Sequence, residues 1–250
     1  MSTFRILILI VFFINLNITV FSQSFSIKGQ LWASGESVEG QSDYKSQLGY
    51  IPTFSAYYQL SQNRMVDMEW AYRLSKSYIG DSLEGNHEKF YRGWLRYSTQ
   101  VIEARLGLQK ISFGPARVLR PLAWFDTINP EDPIAQTAGV EAFLLRFFPS
   151  NSLALWTWIM KGESDTLSYG GRGELSTNLG EWGLTLHQSP DESNTQVGVD
   201  FRYDGFLGLW FEGAGSISEN QNIDEDSHTL MTLGADYTFP LGSGLLIMSE

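Results

Sequence analysis

The 250-residue sequence contains no cysteine. That excludes disulfides and thiolate metal sites, and it excludes a lipoprotein anchored through an amino-terminal cysteine. Histidine is scarce: His87, His187 and His228 are the only three. Ser189 lies near His187, the one pairing that could suggest a hydrolase, but no acid-oriented triad is visible. Ser168, Tyr169 and Gly170–Gly171 form neither a nucleophile elbow nor a phosphate cradle. Basic clusters are also missing, and the net charge is −11, which argues against nucleic acid as a partner. Beyond residue 21 there is no long apolar run, so nothing there offers the ~20 consecutive apolar residues of a spanning helix.

What is present begins at the amino terminus. Arg5 precedes an apolar run from Ile6 to Phe13, and the weaker stretch Ile14–Phe21 closes at the small residue Ser22. This is the pattern of a secretory signal peptide cleaved after Ser22, leaving Gln23 as the mature terminus. The alternative, a membrane anchor helix, is interrupted by Asn15, Asn17 and Thr19. The expected organisation is a signal peptide over 1–22 and a single domain over 23–250.

Within that domain apolar residues recur with a period of two. Val66, Met68, Trp70, Tyr72 and Leu74 alternate with Asp67, Glu69, Ala71 and Arg73. Ile102, Ala104, Leu106 and Leu108 alternate with Glu103, Arg105, Gly107 and Gln109. Val197, Val199, Phe201 and Tyr203 alternate with Gly198, Asp200 and Arg202. Aromatics make up 14% of residues, and there are 24 glycines. A lipid-facing barrel has these properties, because each strand shows lipid only every second side chain. About thirteen strands are expected, most of them near the ~9–11 residues of a tilted membrane strand.

The connections alternate in length. Long ones are expected near 35–47, 76–87, 111–138, 161–169, 189–194 and 218–227. Short ones lie at Ser61–Asn63, Ser98–Thr99, Pro149–Ser150, Leu179–Gly180, Asp204–Gly205 and Pro240–Gly242. Short periplasmic turns alternating with longer external loops distinguish this barrel class from a soluble sandwich. Tyr57, Tyr58, Tyr97, Phe147, Phe148, Tyr203, Tyr237 and Phe239 all fall just before short turns, as an interfacial girdle would. The expected fold is therefore all-β: an antiparallel up-and-down transmembrane β-barrel. The sequence stops at Glu250 as a strand is beginning. This predicts an incomplete fragment of a barrel of roughly 16 to 18 strands.

The third long connection, Ile111–Ala138, is unusual. Loops of such length are usually functional. It carries Gly114–Pro115, the bases Lys110, Arg117 and Arg120, the apolar run Pro121–Phe125, and then Asp126, Glu131 and Asp132. Folding into a barrel lumen would bury the apolar run and narrow the passage. Closing over the outside, or contacting another subunit, is the alternative. The candidate constriction comprises Arg105, Lys110, Arg117, Arg120, Asp126, Glu131 and Asp132, with opposed charges selecting polar solutes. Asp67, Glu69, Arg73, Glu103, Arg172, Glu174, Asp200 and Arg202 would line the lumen.

The run from Arg105 to Gly114, followed by Asn129-Pro130-Glu131-Asp132, resembles a motif of porin-like outer-membrane barrels of Gram-negative bacteria, those grouped with alginate-export porins and related Bacteroidota barrels. Phe113 stands where tryptophan is common in that motif. The resemblance covers about 30 residues and implies a closed barrel for passive passage or export of polar solutes. In general porins the third external loop folds inward, as inferred here.

The expected partners are outer-membrane lipid and lipopolysaccharide, small polar solutes or oligosaccharides, and further copies in a homotrimer. No catalytic residue, cofactor or resident metal is predicted. Acidic loops such as Asn222–Asp226 could hold Ca²⁺ through oxygen or be bridged by divalent ions to lipopolysaccharide. Two further readings compete with a channel: a non-conducting barrel for surface polysaccharide export or assembly, and an outer-membrane hydrolase.

Overall fold

A computed structural model describes residues 23–37, 44–126, 137, 139–162, 166–189, 194–218 and 229–250. The signal segment, Glu131, Asp132, the Asn222–Asp226 loop and His228 lie outside them. Among the described residues thirteen strands form one sheet in sequence order, every neighbour antiparallel. They are β1 (Gln23–Ser37), β2 (Tyr44–Ser61), β3 (Arg64–Ile79), β4 (Ser82–Thr99), β5 (Ile102–Gln109), β6 (Val140–Ser150), β7 (Leu153–Lys161), β8 (Leu167–Thr177), β9 (Gly180–Ser189), β10 (Asn194–Asp204), β11 (Gly208–Ser218), β12 (Thr229–Phe239) and β13 (Leu245–Ser249). Among the described residues the sheet is not closed: β1 and β13 are its two edges.

The period of two translates directly into two faces. One carries Leu95, Leu106, Phe143, Ile159, Leu184, Val199, Leu209 and Leu233, all between 40% and 71% exposed. The register sets Asp67 beside Arg96, Arg96 beside Arg105, and Asp200 beside Glu212 and thence Thr232 on the other. Tyr97, Phe147, Tyr203 and Phe239 open onto the apolar face close to the short turns. Phe148 does not join them; its ring lies 5.0 Å from the Arg146 guanidinium.

Four connections differ from expectation. The turns placed at Ser98–Thr99 and Pro149–Ser150 fall at Gln100–Val101 and Asn151–Ser152, because Thr99 and Ser150 still belong to β4 and β6. Two others change more. Between β3 and β4 there is no long loop over 76–87 but a tight turn at Gly80–Asp81, with Ile79 paired to Ser82. Gly80 has φ 55°, the left-handed conformation such a turn needs. The strands β2, β3 and β4 thus run to 18, 16 and 18 residues. The outer portions of β3 and β4 carry few apolar residues (Tyr78, Ile79 and Leu83) among Ser, Lys, Glu, Asn and His, and the register shifts between Ser77 and Tyr78, so no sustained apolar alternation marks them. Asp204 is a paired strand residue opposite Gly208 rather than a turn centre. The connection is Gly205–Leu207, and a side chain at position 208 would come within 2.3 Å of the Asp236 carboxylate.

The wall drops at β5, only eight residues long against the eighteen of β4. Gly107 sits at φ 119°, where a Cβ would lie 2.2 Å from the Gly93 carbonyl oxygen. Gln109, fully buried, ends the strand by donating from Nε2 to the Ala142 carbonyl at 2.9 Å. From there the chain leaves the wall partway up.

Candidate functional site: the segment seated on the polar face

The segment Ile111–Asp126 lies across the polar face of β6 to β12. Ile111, Phe113 and Leu122 are buried in one cluster with Ala142, Leu144, Trp158 and Met160, flanked by Trp124, Phe125 and Trp156. Burying each such side chain contributes about 1.5–3 kcal/mol. Phe113 packs against Trp156 and Trp158 at 5.7 and 5.1 Å between ring centroids. Phe125 meets His187 edge-on at 4.7 Å. Ile111, Phe113, Leu122, Trp124 and Phe125 therefore find their partners on the chain's own polar face, while Val118 and Leu119 stay exposed.

Backbone polar groups of the segment are satisfied by side chains of the wall. Glu212 on β11 accepts from the Leu122 amide at 2.5 Å and from the Ala116 amide at 3.0 Å. Thr232 on β12 donates to the Leu119 carbonyl at 2.8 Å. Glu250 accepts from the amides of Arg117, Val118 and Leu119 at 2.7, 2.8 and 3.0 Å. The returning end is tied by Arg92, which donates to the Thr137 carbonyl at 2.9 Å. Two glycines permit this fit. Gly114 has φ 77°, and a Cβ there would lie 2.1 Å from Glu212 Oε2; one at Gly198 would lie 2.0 Å from the Leu122 side chain.

Below the segment, a ladder of polar contacts crosses the same face from β3 to β10. Arg96 clasps Asp67 with two bonds, Nε to Oδ1 at 2.8 Å and Nη2 to Oδ2 at 2.7 Å. Glu103 takes Arg96, Arg105 and Arg146 at 3.4, 3.1 and 3.8 Å. Arg105 lies 4.7 Å over Trp94, and Arg146 lies 3.9 Å over Trp156. The Trp156 indole donates to Glu174 at 3.1 Å, and Glu174 pairs with Arg172 at 2.8 Å. Arg172 then holds Asp200 through both oxygens, at 2.6 and 2.9 Å, and donates to Thr185 at 2.7 Å. A cleft of about 260 Å³ opens between Ser112–Pro115 and Arg172, Glu174, Asp200 and Arg202.

The candidate constriction residues take different places in this arrangement. Arg105 belongs to the wall ladder. Arg120 pairs with Asp126 inside the segment, and Ser112 donates to the same carboxylate at 2.5 Å, with Lys110 at 3.6 Å. Arg117 uses its backbone on Glu250 and leaves its side chain exposed. His187 is buried, and its Nδ1 accepts from the Trp158 indole at 3.2 Å. The reading from sequence missed Glu212, Thr232, Gly198, Arg92 and Arg146. No local signal marks them, since each is an ordinary member of an alternating strand. Among the described residues no His, Asp and Glu cluster could hold a metal ion.

Asp126 gives the segment an acid response. Burial by itself would push its carboxyl up; the hydrogen bonds from Ser112 and Arg120, with the charges of Arg120 and Lys110, outweigh that and hold it below the ordinary value of 3.8. A depressed folded pKa adds stability that is present above the ordinary value and is lost as the pH falls through the folded one. Amide protection across Ser112–Phe125 should therefore fall on acidification from about pH 7 to about pH 3, and Asp126→Asn should flatten that response. The same acid response in the variant would reject Asp126 as the titrating group.

No family model and no curated protein matches the chain. Among solved structures it is similar to the low-pH structure of Pseudomonas putida OprB, at 10% identity and a TM-score of 0.48, over 90% of this chain and 76% of that one. The likeness to alginate-export-type porins rests on the run from Arg105 to Asp132 alone.

Proposed function

We propose that this chain forms a channel wall in the outer membrane of a Gram-negative bacterium, exported on a cleaved signal peptide, and passes small polar solutes or oligosaccharides passively. The observation that carries this reading is the segment Ile111–Asp126, seated on the polar face by Glu212 and covering part of it. A wall that is apolar on its exposed side suits lipid. Exposed apolar patches beyond a few hundred Å² are rare on soluble monomers. A polar ladder on the other side suits a water-filled passage. The segment would then narrow that passage, with Arg105 on the wall, Lys110 at the start of the segment and Arg117 on it giving positive charge to its rim. Lipopolysaccharide on the outer rim and homotrimer assembly belong to the same proposal.

Planar-bilayer recording of the full-length protein, with the barrel closed, tests this. Discrete openings are expected, and their absence would overturn the channel in favour of a non-conducting barrel serving surface polysaccharide. The charge of the rim is tested by Arg117→Glu. Arg120 is unsuitable, because its guanidinium is committed to Asp126. Arg117→Glu should shift the reversal potential toward cation preference with the fold intact, and an unchanged reversal potential would remove Arg117 from the passage.

A further inference from the structure

We infer that Glu212 is the positioning residue that sets where the inward segment sits, and with it the width of the opening beside it. The width rests on the channel reading above; the seat itself does not. Glu212 is fully buried, halfway along β11, on the polar face. Among the described residues no cation lies within salt-bridge distance of it. Its row neighbour Asp200 differs, being held by Arg172. A buried carboxylate without a cation is costly unless its oxygens are hydrogen-bonded. The bonds that meet this requirement come from the segment: the Ala116 and Leu122 amides, one to each oxygen. The wall gains nothing from an acid at this position, since Glu212 bonds to no other wall residue described. Its bonds close the two ends of the Ala116–Leu122 turn, while Glu250 holds the tip between them.

The surroundings are shaped to the same contact. Gly114 leaves room for the carboxylate, Gly198 leaves room for Leu122, and Thr232 meets the Leu119 carbonyl. β10, β11 and β12 thus each supply one part of a receptor for a turn that comes from more than seventy residues earlier in the chain. Only an acceptor with two oxygens, one for each amide, fits both ends of the turn. Glutamine keeps the volume but has one acceptor oxygen and presents an N–H₂ group to the second amide.

The test uses the full chain, whose lack of cysteine allows a single reporter. Val118→Cys, at an exposed tip position, would carry a nitroxide label in three backgrounds: wild type, Glu212→Gln and Glu212→Ala. The label should gain mobility several-fold in Glu212→Ala and by less in Glu212→Gln. The midpoint of global unfolding should stay close to wild type in Glu212→Gln. In bilayers the same variants should show larger or noisier openings. Wild-type label mobility in both variants would overturn the inference, as would a loss of global stability in Glu212→Gln without a change at the label. If no variant conducts, the channel reading fails, and the label result still decides the role of Glu212.

Discussion

Replacing Arg172 with methionine should lower the unfolding free energy of the folded protein by about 3–5 kcal/mol. Arg172 is buried, and its guanidinium is the shared partner of Asp200, Glu174 and Thr185. Methionine fills comparable space but offers no donor. Asp200, itself buried, would lose both of its charge-assisted bonds. The cost is chiefly that of stranding this carboxylate, not the net worth of the pair. The double variant Arg172→Met with Asp200→Leu should therefore recover most of the loss, since a well-packed apolar pair often replaces a buried ion pair at little cost. A double-mutant cycle from urea unfolding in lipid vesicles measures the coupling. Arg202→Met is the control: its pair with Asp204 is exposed on both sides, and such pairs contribute about 0–1 kcal/mol. A loss below about 1 kcal/mol for Arg172→Met would mean that the ladder is solvated and exchangeable rather than a structural girdle.

The same substitution reaches the segment. The Arg172 guanidinium lies 5.2 Å over the Phe113 ring, and Phe113 is wedged against Trp156 and Trp158. The wall ladder and the seated segment thus share one side chain. Stability of the wall and placement of the segment should move together in Arg172→Met, whereas Glu212→Gln should move the segment alone.

The sequence made the two-faced wall legible because a period of two depends only on nearest neighbours. Asp67, Glu69, Glu103, Arg105, Arg172, Asp200 and Arg202 all occupy the polar face through the observed register. What lay hidden was non-local. The outer ends of β3 and β4 carry few apolar residues and a register shift between Ser77 and Tyr78, so Lys76–Ile79 and Ser82–His87 read as a loop while pairing as strands. The grouping of Arg117, Arg120 and Asp126 was visible, but their division was not. Arg120 closes on Asp126 six positions later in the chain, and Arg117 stays exposed. Glu212 looks like any alternating acid until the segment is laid over it. Only then do Gly114 and Gly198, otherwise two glycines among 24, read as clearance for a contact.

The sharpest test of the environment of the wall is Leu184→Arg. Leu184 lies in the middle of β9 on the apolar face, 55% exposed, opposite Val199. For a sheet in water the outcome is simple: a surface substitution away from special features stays within about ±0.5 kcal/mol. In a bilayer the side chain meets hydrocarbon, and arginine at the midplane costs about 2–4 kcal/mol. The same change near a turn, at Tyr203→Arg, should cost much less, because the charge reaches the headgroup region. A depth-dependent penalty on one face, with polar-face positions indifferent to it, would be the mark of lipid. Refolding into vesicles followed by urea titration reads both variants. A flat result, with Leu184→Arg as stable as wild type, would place that face in water and remove the physical basis for a membrane channel, however the inner segment is seated.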